Sequence, residues 1–149
     1  CLSSGRDGAG YGWPGSYGGH NGDGRAKPAN PQMVAKAIAP DFGLGAHTAS
    51  LGLVFYQGGQ FPASYRGGAF ICQHGSWNRS KRVGYNVAFV PFKNGKIASP
   101  KEDFLTGWLL DPNKREVWGR PTCLLQQPDG SLLLTDDGGN KVWRISYKG

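Results

Sequence analysis

The chain has 149 residues, of which 38% are apolar, 12% aromatic and 18% charged, a composition that excludes wholesale disorder. Its net charge of +7 permits an anionic partner, but the cations are scattered and no basic amphipathic helix or stacked-aromatic RNA motif is present, so nucleic acid is not the indicated ligand. No transmembrane helix is predicted, because the longest apolar run, LGLVFY, is far shorter than the roughly 20 residues that span a bilayer.

The predicted elements are short and separated by turns. The 25 glycines and 10 prolines fall between apolar runs, which is typical of tight turns between β-strands. Residues 1–32 are predicted to be a glycine-rich loop, and residues 33–40 fit either a short strand or one helical turn. Four strands are predicted within residues 51–107 and three more within residues 122–147. The chain is therefore predicted to be all-β.

The two sets of strands form an internal repeat. HTASLGLVFY is similar to GRPTCLLQQ, AFICQHG to LLLTDDGG, and NVAFVPFKNG to KVWRISYKG. Repeated antiparallel units of about four strands are typical of the blades of a β-propeller. The interpretation is a loop-rich lead-in (1–50), one blade (51–107) and three strands of the next blade (122–147), about two blades of a larger ring. The alternative is a single Greek-key sandwich with similar hairpins.

The repeat predicts where a binding site would lie. Loops that follow equivalent strands of neighbouring blades meet at one end of a propeller, and here they carry cations and neutral hydrogen-bonding groups. The predicted cluster comprises His47, Thr48, His74, Asn78, Arg79, Lys81, Arg82, Arg120 and Asp136. Such a set suits a small polyanion that needs bidentate cation contacts. The alternative for the cations of the 78–82 loop is a solvated rim without a ligand.

The remaining candidate residues predict no further site. Cys72 and Cys123 lie in apolar strand runs and are expected to be small buried side chains, and an odd number of cysteines does not pair completely. The spacing of the three histidines indicates no metal site within this chain. The chain starts at Cys1 without a signal peptide, so we expect either a truncation point or the lipidated first residue of a bacterial lipoprotein.

Five segments carry a resemblance to a known family: GYGWPGSYGG, residues 40–79, GYNVAFVPF, EDFLTG and residues 119–147. They resemble the glucose/sorbosone dehydrogenase family, and within it the L-sorbosone dehydrogenase branch. The resemblance runs from Tyr11 onward and corresponds to the C-terminal part of the family. Its most specific feature is the order of three segments: HGSWNRS, GRP and LLLTDDGGN. It implies a six-bladed propeller, periplasmic or secreted, that binds pyrroloquinoline quinone (PQQ) with calcium. The implied reaction oxidises a sugar or sugar aldehyde by hydride transfer to the quinone, and an unidentified acceptor then takes the electrons.

The resemblance also implies roles for individual residues. Thr48, Arg120 and Asp136 match cofactor-contacting positions, and the loop containing Asn78, Arg79 and Lys81 matches the region that supplies a cofactor-contacting lysine. Which cation of residues 78–82 takes that role is open.

The family's catalytic histidine and its calcium ligands belong to earlier blades, so the resemblance implies that this chain alone is inactive. His74 is a candidate on the substrate side of the site, although a structural hydrogen bond is the simpler role. The alternative function is a non-catalytic propeller module that binds a ligand or a protein.

Overall fold

The computed structural model describes residues 1–149, which form two compact units, residues 1–45 and residues 46–149. Nearly all of the regular structure is β-strand, and each unit is described by itself. None of the helices combines the length and the apolar character that crossing a membrane requires.

The first unit contains the main helix of the chain. Helix α1 spans Pro31–Lys36, and the Asn30 side chain caps it by accepting a 3.0 Å hydrogen bond from Met33 N. Proline in the first turn is favourable because it has no N–H to satisfy there. The ambiguous segment 33–40 is thus helical only in its first half. The rest of the unit is loop, as predicted, except for a small hairpin of β1 (Ser16–Tyr17) and β2 (Asn21–Gly22).

The second unit begins with a four-stranded antiparallel sheet. Its strands are β3 (Ser50–Phe55), β4 (Ala69–Gln73), β5 (Asn86–Val90) and β8 (Glu102–Leu105), in that spatial order. All four correspond to predicted strands. A small hairpin of β6 (Phe92–Lys93) and β7 (Lys96–Ile97) lies between β5 and β8 and was not predicted. Its turn is the KNG segment, where Asn94 and Gly95 both have positive φ.

The second sheet has three antiparallel strands. They are β9 (Pro121–Gln126), β10 (Leu132–Asp136) and β11 (Lys141–Ile145), with β10 in the centre. Each sheet therefore runs from its first strand outward in chain order, as the internal repeat predicts.

The two sheets pack against each other around one shared core. Buried Phe70 and Phe89 of the first sheet belong to the same cluster as Leu132 and Leu134 of the second. The first strands of the two sheets, β3 and β9, lie so close together that a Cβ added at Gly52 would lie 2.6 Å from Cys123 Cα. At the other end of β3, the Tyr56 hydroxyl donates a 2.8 Å hydrogen bond to the carbonyl of Gly130.

Two antiparallel sheets with strands in chain order and a shared core are typical of neighbouring blades in a β-propeller, and the all-β propeller prediction is confirmed. The burial of the cysteines was predicted only in part. Cys72 on β4 is buried, whereas Cys123 on β9 is exposed, and all three cysteines are free. Alternation explains the difference, because Cys123 and Leu125 share the outward face of β9 while Leu124 points inward.

Candidate functional site

The structure brings the start of β3, the end of β4 and the start of β9 together. Gly75 N donates to Thr48 O at 2.9 Å, and His74 N donates to Ala49 O at 3.0 Å. Arg120 reaches the same loop from the second sheet and donates from Nε to His74 O at 3.1 Å. Thr48, His74 and Arg120, predicted from equivalent strand ends of the repeat, therefore belong to one hydrogen-bonded cluster.

Arg120 is held in place by the loop that follows β4. Its Nη2 donates to Gly75 O at 2.9 Å, and its guanidinium carbon lies 5.5 Å from the centre of the Tyr85 ring. Gly75 allows this packing because its φ is +95° and an added Cβ would lie 2.4 Å from the Tyr85 ring. Since Nε and Nη2 make the hydrogen bonds within the protein, Nη1 remains for a bound anion.

Asp136 fixes the backbone of this site from within the protein. Its Oδ1 accepts from Arg120 N at 2.7 Å and from Gly139 N at 2.8 Å, and its Oδ2 accepts from Trp143 Nε1 at 3.1 Å. Burial raises the pKa of this carboxyl, but hydrogen bonds from these donors and from Trp108 outweigh burial and hold the pKa below its usual 3.8. Because Asp136 is 2% exposed and accepts from the backbone of Arg120, its carboxylate positions Arg120. Its predicted contact with the cofactor stays a prediction.

The next residue, Asp137, forms a hydrogen bond with the candidate His74. The distance from His74 Nε2 to Asp137 Oδ1 is 2.8 Å, and the side chains are 19% and 61% exposed. A carboxylate oxygen accepts hydrogen bonds, so Nε2 carries the proton and Nδ1 of a neutral ring is left as an acceptor. The sequence predicted Asp136 rather than Asp137 at the site, and neighbouring residues on a strand point to opposite faces.

The loop of residues 74–85 is closed by its own hydrogen bonds. Ser76 N donates to Val83 O, and Val83 N donates to Ser76 Oγ. Arg82 Nη1 donates to Ser76 O at 2.8 Å and contacts the Tyr85 hydroxyl at 3.3 Å. The Arg82 guanidinium is therefore part of the loop structure.

The other predicted loop residues, Asn78, Arg79 and Lys81, lie exposed at the tip. Arg79 alone of the three reaches back toward the start of β3, through a 3.3 Å hydrogen bond from Nη1 to Ala46 O. His47 is also exposed. Arg79 and Lys81 are thus the cations of this loop that remain for a ligand.

Sequence reasoning missed two polar residues behind Thr48. Gln73 Nε2 donates to Ser50 Oγ at 3.3 Å, and Ser50 Oγ lies 3.2 Å from Thr48 Oγ1. Gln73 is 1% exposed, and its signal in the sequence was a polar residue at the end of an otherwise apolar strand. Together these side chains orient the Thr48 hydroxyl.

Nowhere in the 149 residues do three or more histidine, cysteine or acidic side chains come together in a group able to hold a metal ion. His20 lies in the first unit, where its Nε2 is 2.7 Å from Ala37 O.

The fold of this chain is similar to the folds of several solved structures. The chain superposes on the calcium structure of the Trichoderma reesei carbohydrate-active enzyme of family AA12 with a TM-score of 0.75, at 21% identity, covering 95% of this chain and 39% of that one. It superposes on the holo form of the PQQ domain of pyranose dehydrogenase from Coprinopsis cinerea with a TM-score of 0.66, at 24% identity, covering 89% of this chain and 35% of that one.

Sequence comparison finds a curated relative and a family. A Borreliella burgdorferi protein, named only as uncharacterized, is 40% identical over 114 residues, which are 76% of this chain and 30% of that protein. The chain thus spans less than a third of the length of this relative. The model of the family described as TrAA12-like matches residues 25–148, most of the chain. The chain therefore belongs to the TrAA12-like family.

Proposed function

We propose that this chain is part of a PQQ-dependent dehydrogenase that oxidises a sugar or a sugar aldehyde, of the sorbosone or glucose type. The observation that carries the proposal is Arg120, whose guanidinium is fixed by the 74–75 carbonyls and Tyr85 and keeps Nη1 for an anion. The family and the fold shared with the PQQ domain of a pyranose dehydrogenase support it.

The donors of the site fit this cofactor. PQQ carries carboxylates and an orthoquinone, so it requires cations and neutral donors rather than carboxylates. Arg120 supplies a planar cation, while the Asp136 carboxylate is turned into the protein and the Asp137 carboxylate is paired with His74. Arg120 and Thr48 would hold the cofactor, together with Lys81 from the tip of the 74–85 loop. When bound, PQQ accepts the hydride that leaves the substrate.

His74 is the residue of this chain that we assign to the substrate side. Asp137 holds its Nε2, and the peptide groups of His74 are bonded to Ala49 and Arg120, so the imidazole has a defined orientation. In that orientation Nδ1 is an acceptor for a sugar hydroxyl. The pair would therefore orient the substrate with respect to the cofactor.

The rest of the proposal concerns the larger protein. We assign the catalytic histidine and the calcium ligands to other blades of the ring, and we expect this chain alone to be inactive. We also propose a periplasmic or secreted location and a separate electron acceptor.

The test is PQQ binding to the full-length protein, measured by calorimetric titration of the apo form with calcium present. We expect Arg120→Ala to weaken binding by about 1.5–3 kcal/mol, the scale of a charge-assisted hydrogen bond. Arg120→Lys should restore only part of the loss, because an ammonium does not reproduce the planar fork.

Arg144→Ala is the matched control. Arg144 lies on β11, where its 63% exposed side chain pairs with Asp129, so its removal should leave PQQ affinity unchanged. Equal losses for Arg120→Ala and Arg144→Ala would overturn the assignment of the site. A full-length protein that binds no PQQ would instead favour the non-catalytic binding module.

A further inference from the structure

A second concave surface lies beside the candidate cofactor residues. It is a cavity of about 610 Å³ formed by residues 77–80, Arg82 and residues 113–115. We call it the loop cavity. Its lining contains four cations and several neutral hydrogen-bonding side chains, but no acidic residue.

The cations of the loop cavity have no carboxylate partner. The ion pairs between a lysine or arginine and a carboxylate involve Arg25, Lys101 and Arg144, and none of these residues lines the cavity. Lys114 and Arg115 are exposed, and the nearby Asp111 carboxylate accepts from Asn113 N and Nδ2 instead. Like charges that face one cavity without a counter-ion favour a bound anion.

Backbone contacts give the loop cavity a defined shape. Arg82 N donates to Pro112 O at 2.7 Å, which joins the two loops that form the walls. Arg82 Nη1 also donates to Ser76 O at 2.8 Å, so this cation is held at the base of the loop. The turn from Asp111 to Lys114 is closed by a 3.1 Å backbone hydrogen bond. The cations on the two walls therefore face each other across a surface that the loops themselves maintain.

An exposed indole completes the lining. Trp77 is 78% exposed, although burying a side chain of this size is strongly favourable. Aromatic faces next to polar groups are typical of binding surfaces, where the ring supplies a flat apolar contact. The C–H face of a pyranose ring provides the complementary surface.

We propose that the loop cavity binds an anionic sugar, with its carboxylate or phosphate group between Lys114, Arg115 and Arg79 and its ring against Trp77. Arg79 also donates to Ala46 O, close to Thr48 in the chain, so the cavity adjoins the cofactor residues. The assignment of the ligand as a sugar rests on the dehydrogenase function proposed above, whereas the assignment of an anion-binding cavity does not. The proposal defines a subsite for an acidic substrate.

The experiment is calorimetric titration of the full-length protein, without PQQ, with glucuronate, glucose 6-phosphate, glucose and inorganic phosphate. We expect at least one anionic sugar to bind about tenfold more tightly than glucose, since one charge-assisted contact is worth about that factor. Comparison of glucuronate with glucose 6-phosphate identifies the anionic group. The double variant Lys114→Gln, Arg115→Gln should lose that tenfold preference, and Trp77→Ala should weaken the sugars but leave inorganic phosphate unchanged.

The matched control is the double variant Lys93→Gln, Lys96→Gln, which removes the same charge from the exposed β6–β7 hairpin. It should retain the preference. Equal losses in the two double variants, or glucose binding as tightly as both anionic sugars, would overturn the subsite. Competition between PQQ and the anionic sugar would also overturn it, because the cavity would then belong to the cofactor. Failure of PQQ to bind, with the anionic sugar retained, would overturn the dehydrogenase function and leave the anion site standing.

Discussion

The two sheets differ in how the connection between their second and third strands is hydrogen-bonded. In each, the second strand ends beside the start of the first, at Gln73 in one sheet and at Asp136 in the other. In the second sheet the connection to the next strand is the short turn 137–140, and the Asp136 carboxylate accepts from Gly139 N and Arg120 N. In the first sheet the connection is the long loop 74–85, which satisfies its own polar groups.

The difference shows how a repeated scaffold acquires a site. In the first sheet a neutral Gln73 stands at the strand end where the second sheet has Asp136. No carboxylate is needed there to accept from loop N–H groups, because Ser76 and Val83 exchange hydrogen bonds and Arg82 binds loop carbonyls. The buried carboxylate of the second sheet is needed where a short turn leaves N–H groups without backbone partners. One repeat thus provides rigid support for Arg120, and the other provides the loop that carries ligand-facing cations.

The largest effect should come from Asp136→Ala. Removal of the carboxylate leaves the partly buried N–H groups of Arg120, Gly139 and Trp143 without acceptors, so we expect the free energy of unfolding to fall by about 3 kcal/mol. This loss in the free energy of unfolding is measured by urea titration at neutral pH. The exposed neighbour Asp137 is the control, because Asp137→Ala should cost only about 0.5 kcal/mol. Similar losses would show that the two aspartates are not distinguished by burial.

The same carboxylate predicts a pH dependence. Its pKa in the folded protein lies below the usual 3.8, so its contribution to stability is complete above that value and is lost as the pH falls through the folded pKa. The difference in unfolding free energy between the wild type and Asp136→Asn should therefore shrink in this acidic range. A difference that stays constant down to the acid limit would contradict a charged Asp136 in the folded state.

Gly52→Ala tests the close approach of the two sheets. The added methyl group would lie 2.6 Å from both Cys123 Cα and Thr122 O, so the first strands must separate, and we expect a loss of about 2 kcal/mol. Thermal unfolding compares it with Gly59→Ala, whose added group meets only the end of Arg66 at 3.6 Å. An unchanged stability of Gly52→Ala would mean that β3 and β9 are farther apart than described.

Tyr56→Phe should have a smaller effect on the link between the repeats. The buried hydroxyl donates to Gly130 O and accepts from Phe61 N at 3.1 Å, so its removal should cost about 1.5 kcal/mol. Tyr65 packs in the same aromatic cluster without a hydroxyl hydrogen bond, so Tyr65→Phe should be nearly neutral in the same urea titration. Neutral behaviour of both variants would remove this hydroxyl as a link between the sheets.

The smallest difference concerns the two strand cysteines. Burial raises the pKa of the Cys72 thiol to about 12, so almost no thiolate exists at neutral pH, whereas Cys123 is exposed. We expect an alkylating reagent to modify Cys123 in the folded chain and Cys72 only after unfolding. Mass spectrometry of the digested protein distinguishes the sites, and equal rates in the folded state would contradict the burial of β4.

What the amino-acid sequence determined by itself is the strand order, the repeat and the ends of strands at which functional side chains gather. These features depend on the alternation and turn residues of neighbouring positions, as in SLLLTDDGGN, so they are readable locally. The same information leaves residues 33–40 ambiguous, because a short apolar segment fits a strand and a helical turn equally well; the Asn30 cap selects the helix.

The role of each side chain at these strand ends was decided only by the tertiary structure. Asp136 turns inward, Asp137 pairs with His74 from a distant part of the chain, and Arg82 closes its own loop. The loop cavity likewise needs residues 113–115, which carry no pattern that connects them with residues 77–82. Hydrogen-bond partners and burial are set by the packing of segments far apart in sequence, and that packing is a property of the folded chain as a whole.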